Sequence, residues 1–101
     1  MIILSDSGNI FLKNDGIYLY SHWGGGNLMA ILRSALIRGK PRWHDRAYLN
    51  RIIFSEMIKE EVLEETGYGL SNFICGEDNP TIVVDAENNT VDGMNFENFI
   101  R

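Results

Sequence analysis

Two stretches in the first half of the chain carry side chains suited to binding a ligand. In the first, residues 16–27 (GIYLYSHWGGGN), the tyrosines and the histidine alternate along one face of a predicted strand. Three glycines follow, and an asparagine suited to capping a helix ends the stretch. Unpaired N–H groups at such a helix start bind anions. The ligand-binding residues predicted here are Tyr18, Tyr20, His22, Trp23, Gly25, Gly26 and Asn27. Alternatively, the glycines only form a turn and the aromatic residues only fill a core.

The second stretch, residues 38–46, places four cations around a tryptophan and a histidine. Arginine next to an aromatic ring is a combination that holds bases and phosphates. The predicted binding residues are Arg42, Trp43, His44 and Arg46. Tryptophans are also ordinary core residues, which is the structural alternative. The two stretches flank one predicted helix and are separated by roughly 16 Å at 1.5 Å per residue.

Enzyme chemistry has little support in the residue pattern. The chain has two histidines and one cysteine, and no zinc-binding spacing joins them. There is no Walker sequence, no dinucleotide fingerprint and no G-x-S-x-G motif. We therefore predict no catalytic residue, no metal and no cofactor, and expect the protein not to be an enzyme. His22 and His44 are the acid–base candidates if it is one.

The elements that would position these residues predict an α+β fold. Short apolar runs indicate strands near residues 2–5, 10–13 and 17–22, and Asp15-Gly16 is a strong hairpin signal. Further strands are predicted at residues 70–75, 81–85 and 90–92, with a short capped helix at 95–100. We expect an antiparallel sheet of five or six strands with two helices packed on one face.

The two main helices are predicted from apolar periodicity and capping residues. The first begins at Asn27, presents an apolar stripe from Leu28 to Leu36, and ends at Gly39. The second begins at Asp45 and continues to about Glu65, with apolar residues around much of its circumference. A helix that is apolar on several sides packs on several sides. We therefore expect a homo-oligomer, most simply a two-fold dimer formed through this second helix.

Length, charge and cysteine content limit the function classes. The 101 residues predict a single domain spanning 1–101. Residues 1–52 carry seven Lys/Arg and three Asp, whereas residues 53–101 carry two Lys/Arg and eleven Asp/Glu. This division predicts a positive and a negative surface unless the fold mixes them. The single cysteine suits a reducing cytoplasm, and the apolar runs are too short to cross a membrane. We expect no signal peptide at the N-terminus.

Several segments resemble a family of short phage and prophage proteins of unassigned function. The resemblance covers roughly residues 10–92 and rests on four blocks in order: YLYSHWGGGNL, RWHDRAYLNRIIFSEMI, EETGYGL and IVVDAENNTV. It implies a phage or prophage origin and the bacterial host cytoplasm as the place of action. It implies no catalytic residue.

Three functions remain open on this basis. The first is sequestration of a nucleotide-derived second messenger of host immunity, with a nucleotide or cyclic nucleotide as the ligand. The second is inhibition of a basic host defence protein by residues 60–92, an acidic region that would imitate nucleic acid as some anti-CRISPR proteins do. The third is a small nucleotide-processing enzyme. We favour the first.

Overall fold

A computed structural model describes residues 7–22, 27–76 and 78–101. These residues form an α+β fold with a six-stranded mixed sheet and three α-helices. In chain order the elements are β1 (Gly8–Leu12), β2 (Ile17–Ser21), α1 (Leu28–Arg38), a 3-10 turn (Lys40–Arg42), α2 (Arg46–Ile58), β3 (Tyr68–Ser71), β4 (Thr81–Asp85), β5 (Thr90–Val91), β6 (Met94–Asn95) and α3 (Phe96–Phe99).

The predicted hairpin between the first two described strands is confirmed. β1 pairs antiparallel with β2, and Ile10 lies opposite Leu19. In the turn, Gly16 has a φ of 67° and its N–H donates to the carbonyl of Leu12 at 3.0 Å. A left-handed φ of this kind is the reason that glycine occupies the position. The strand expected at residues 2–5 lies outside the described residues.

The expectation of an antiparallel sheet was wrong, because one central pair is parallel. The strand order is β3-β2-β1-β4-β5-β6, and β4 runs parallel to β1 with Ile82 opposite Ile10. After β3, at one edge of the sheet, the chain crosses to the side of β1 that does not face β2. There it forms β4, which runs in the same direction as β1. Backbone bonds from Asn9 N–H to Pro80 O (2.9 Å) and from Lys13 N–H to Val84 O (3.0 Å) join the two strands' ends.

α1 has the bounds and the buried stripe that the sequence predicts. Leu28, Leu32, Ala35 and Leu36 are its buried residues. The helix begins after Asn27 and ends before Gly39, whose N–H donates to the carbonyl of Ala35 at 2.8 Å. α2 begins after Asp45, as expected, and the Asp45 carboxylate accepts a bond from the N–H of Tyr48 at 3.3 Å.

α2 ends at Ile58, well before the predicted end near Glu65. Glutamates 60, 61, 64 and 65 would have stood at the negative end of the helix dipole and repelled each other one turn apart. Val62 and Leu63 find no core to pack into, since 62% and 92% of their surfaces are exposed. Both effects favour the turns that form instead, in which Glu61 N–H donates to the carbonyl of Ile58 at 2.8 Å.

One core cluster joins the helices to the sheet. It contains Ile10, Leu12 and Leu19 from β1 and β2, Leu28, Leu32, Ala35 and Leu36 from α1, Leu49, Ile53 and Met57 from α2, Ile82, Val84 and Val91 from β4 and β5, and Phe96. Phe54 and Ile58 are partly buried and pack against the same cluster. Much of the apolar surface of α2 therefore packs against other parts of the same chain. An aspartate at Phe54 or Ile58 is expected to unfold the protein.

The short C-terminal helix is confirmed as a capped turn of helix. The side chain of Asn95 accepts a bond from the N–H of Asn98 at 2.8 Å, and Phe96 is buried in the core. No helix among the described residues has the length and apolar character needed to span a bilayer.

Candidate functional site

The predicted stripe on β2 lies on the sheet face opposite that of Ile10 and Leu19. The ring of Tyr18 stacks on Phe11 at 4.3 Å between centroids with a 19° angle between planes. The Tyr20 hydroxyl oxygen is 2.9 Å from Nδ1 of His22 and 3.2 Å from the Ser7 hydroxyl. Tyr20 and His22 thus contact each other, whereas Tyr18 contacts Phe11 on the neighbouring strand. Trp23, Gly25 and Gly26 lie outside the described residues.

Asn27 stands apart from that stripe, at the start of α1. Its side chain makes no capping bond to the helix. Asn27 lines a cavity of about 290 Å³ whose other lining residues include Lys59 and three glutamates, Glu56, Glu60 and Glu61. The acidic character of this cavity disfavours an anion there.

Trp43 connects the end of α1 to α3. Its Nε1–H donates to the carbonyl of Leu36 at 2.9 Å, and its ring meets Phe96 edge-on at 5.1 Å. The ammonium of Lys40 lies 5.4 Å from the centre of the ring. The ring is half-buried and contacts Leu36, Phe96 and Lys40. Packing within the fold therefore accounts for its position. A stacking role for Trp43 stays a prediction.

Arg46 is already paired with two carboxylates. Its Nε lies 3.0 Å from Asp15 Oδ2 and its Nη1 lies 3.3 Å from Glu87 Oε1. Trp43, His44 and Arg46 do line one cavity of about 320 Å³, but Glu87 lines it as well. A carboxylate inside the cavity repels an anionic ligand, so this part of the predicted site is poorly suited to phosphate.

A different cavity combines cations with an uncharged ring. Arg42, Tyr48, Arg51 and Ile52 line a space of about 380 Å³ on the outer surface of α2. The guanidinium carbon of Arg42 lies 5.1 Å from the centre of the Tyr48 ring, a cation–π distance. Tyr48 is 56% exposed, so much of the ring is open to a ligand. Arg42 is thus a predicted binding residue that lines a cavity with a second arginine and no carboxylate among its described lining residues.

Three residues of this cavity were missed by sequence reasoning. Tyr48, Arg51 and Ile52 are spaced i, i+3 and i+4 along α2, and residues so spaced lie on one face of a helix. That spacing, together with Arg42 just before the helix, could have predicted that these residues line one site with Arg42.

The two arginines of this cavity differ from the neighbouring cations in their pairing. Among residues 7–22, 27–76 and 78–101, neither Arg42 nor Arg51 lies within salt-bridge distance of a carboxylate. In contrast, Lys40 Nζ lies 3.0 Å from Glu97 Oε1, and Arg38 Nε lies 3.0 Å from Glu56 Oε1. Two arginines without a carboxylate partner in the described part of the chain therefore lie beside the exposed aromatic ring.

Shifted pKa values occur in ion pairs away from this cavity. The pKa of Glu56 is lowered, chiefly by a 2.7 Å bond from Lys59 Nζ, against the opposing effect of burial. The pKa of Asp85 is lowered well below its usual range by bonds from Asn88 and Asn14, which tie the β1–β2 turn to the turn after β4. Both arrangements stabilise the fold.

In the described part of the chain, no three His, Cys, Asp or Glu side chains are grouped so as to hold a metal ion.

Comparison of the sequence and the fold with known proteins found no matching family, no matching curated protein and no matching solved structure. The resemblance to short phage proteins therefore stays a prediction, and the functional argument rests on the geometry alone.

Proposed function

We propose that the protein binds a nucleotide-derived anion at the cavity lined by Arg42, Tyr48, Arg51 and Ile52. The observation that carries the proposal is a pair of arginines beside an exposed ring, neither of which has a carboxylate partner among the residues that the structure describes. Guanidinium groups donate paired hydrogen bonds to phosphate oxygens, each contributing about 1.5–3 kcal/mol. The base or ribose of the ligand packs against Tyr48 and Ile52. The cavity volume lies within the usual range for small-molecule sites, about 300–1,000 Å³.

In the cell, this binding serves to sequester a second messenger of host immunity without changing it. The phage-family resemblance and the cavity support this role, and the proposed place of action is the bacterial host cytoplasm. It requires no catalytic group, metal or cofactor. A nucleotide-processing enzyme would instead return an altered ligand, so recovery of the intact compound after denaturation separates the two functions.

We further propose that two copies associate through the outer surface of α2. The exposed Tyr48 ring and the partly buried Ile52 supply apolar contact there. A two-fold axis would bring the arginines of both copies around one ligand, and its phosphates would offset the repulsion between them. Light scattering should detect a dimer at tens of micromolar with ligand present. A monomer both with and without ligand would contradict the dimer but not the binding site.

The position of the helices relative to the sheet is part of the same proposal. Ile10, Leu19 and Val84 project from one face of the sheet, as the strand register and side-chain alternation require. Buried residues of α1 and α2 share one core cluster with them. We infer that both helices cover this face, which leaves the arginine cavity on the solvent side of α2.

A melting-temperature screen tests the binding proposal. The probes are cyclic dinucleotides, cyclic trinucleotides, cyclic ADP-ribose and ADP, each added at millimolar concentration. A ligand present at 100 times its Kd stabilises the folded state by about 2.7 kcal/mol. For a domain of this size, the melting temperature should then rise by roughly 10 °C or more. If no probe raises it, the nucleotide proposal is wrong.

A further inference from the structure

Among residues 7–22, 27–76 and 78–101, β3 forms one edge of the sheet, and its outward-facing backbone groups can be assigned. The N–H of His22 donates to the carbonyl of Gly67 at 2.8 Å, just beyond the end of the β2–β3 ladder. The register then places Gly69 opposite Tyr20, two residues further along. Bonded and non-bonded pairs alternate in an antiparallel ladder. The N–H and C=O groups of Tyr68 and Leu70 therefore point away from β2.

This edge lacks charged residues and prolines, which are two of the features by which proteins discourage added strands. Lysines, prolines and bulges usually protect an edge. Residues 66–76 contain no charged residue and no proline. The side chain of Leu70 is 59% exposed, and that of Phe73, just after the strand, is 64% exposed. An incoming strand would meet both open backbone groups and apolar side chains.

The chain segments before and after the edge strand are rich in acidic residues. Residues 60–78 contain six Asp/Glu and no Lys or Arg. The Tyr68 hydroxyl donates to Glu61 Oε1 at 3.0 Å, which fixes one of these carboxylates beside the first residue of β3. Burial of the phenol, together with this bond, raises the pKa of Tyr68. At least one carboxylate, that of Glu61, is thus located at the edge.

We propose that β3 is a docking edge for an extended segment of a partner protein in which apolar residues alternate with Lys or Arg. The segment adds as a strand, bonding to the outward backbone groups of Tyr68 and Leu70. Its apolar side chains contact Leu70, and its cations face Glu61 and its neighbours. A second copy of this chain is disfavoured, because pairing β3 with itself would bring two acidic surfaces together. This surface is separate from the arginine cavity and does not depend on it.

The probe is the peptide acetyl-(Lys-Val)₄-amide, with acetyl-(Glu-Val)₄-amide as the charge control. Binding is measured by calorimetry, and hydrogen exchange of the protein amides is measured by NMR. We expect the basic peptide to bind at least tenfold more tightly than the acidic one. We also expect slower exchange at the amides of Tyr68 and Leu70 when it is bound.

Variants of one position separate strand addition from general charge attraction. Leu70→Pro removes an outward N–H without removing a hydrogen bond to β2. Leu70→Lys keeps the N–H but adds a cation that discourages pairing with an added strand. Each should weaken binding of the basic peptide at least tenfold, whereas Leu63→Lys, at an exposed leucine outside the strand, should weaken it less than threefold.

Three outcomes would overturn the proposal. They are equal binding of the two peptides, equal losses in the Leu70→Lys and Leu63→Lys variants, and a β3-mediated dimer. Light scattering would detect that dimer as dimeric protein that becomes monomeric in the Leu70→Lys variant.

Discussion

Replacing Trp43 by phenylalanine should destabilise the protein without weakening ligand binding. The indole N–H donates to the carbonyl of Leu36 at 2.9 Å, and phenylalanine has no group to replace that bond. An edge contact with Phe96 at 5.1 Å would be kept only in part by the smaller ring. The tryptophan therefore holds the end of α1 against α3, and the proposed ligand site lies elsewhere.

The size of the effect follows from these contacts. A hydrogen bond of this kind contributes about 1 kcal/mol net. The apolar area lost on going from indole to phenyl, discounted because the ring is half-buried, contributes roughly another 1 kcal/mol. A total of about 2 kcal/mol should lower the melting temperature of a domain of this size by roughly 8–16 °C.

The assay is thermal unfolding followed by far-UV circular dichroism, paired with calorimetry of the nucleotide that the screen selects. Tyr48→Phe is the stability control, because this exposed ring keeps its stacking face and should shift the melting temperature by less than about 3 °C. A Trp43→Phe variant with an unchanged melting temperature and at least tenfold weaker binding would refute the reasoning. It would instead support Trp43 as the stacking surface of the ligand.

Two further changes test the packing and the ion pairs. Gly39→Ala should destabilise by roughly 1–3 kcal/mol, measured by urea unfolding, because the added Cβ would lie 2.9 Å from the carbonyl oxygen of Ala35; an unchanged urea midpoint would contradict this close approach. Glu56→Gln should cost about 1 kcal/mol at pH 7, since it weakens bonds from the exposed Lys59 and Arg38. The pKa of Glu56 is lowered on folding, so its contribution is complete above pH 4.5 and is lost as the pH falls through the folded-state value. The difference between wild type and variant should therefore shrink at pH 3, and an undiminished difference there would exclude the charge as its cause.

Local signals in the sequence predicted several local features, although the strand expected at residues 70–75 forms at Tyr68–Ser71. The Asp15-Gly16 pair predicts the first hairpin because the turn needs a left-handed φ. The β-branched run Thr81–Asp85 forms β4 with the expected bounds, and Asn95 caps the last helix. Each of these features depends on residues that are close together along the chain.

Features that depend on distant partners were not predictable in the same way. The parallel pairing of β1 with β4 joins residues 10 and 82, and no local pattern encodes it. The end of α2 depended on whether Val62 and Leu63 would find a core to enter, and they do not. Arg46 looked equivalent to Arg42 in the sequence, but folding brings Asp15 and Glu87 against Arg46 only.

Calorimetry of matched arginine variants tests the central claim most directly. The ligand is the nucleotide that gives the largest rise in melting temperature, and the variants are Arg42→Gln, Arg51→Gln and Arg46→Gln. Loss of one charge-assisted bond should weaken binding about 10-fold or more at Arg42 and at Arg51. Arg46, which is engaged by Asp15 and Glu87, should change binding less than threefold. Equal affinities for wild type, Arg42→Gln and Arg51→Gln, or a loss confined to Arg46→Gln, would contradict the proposed site.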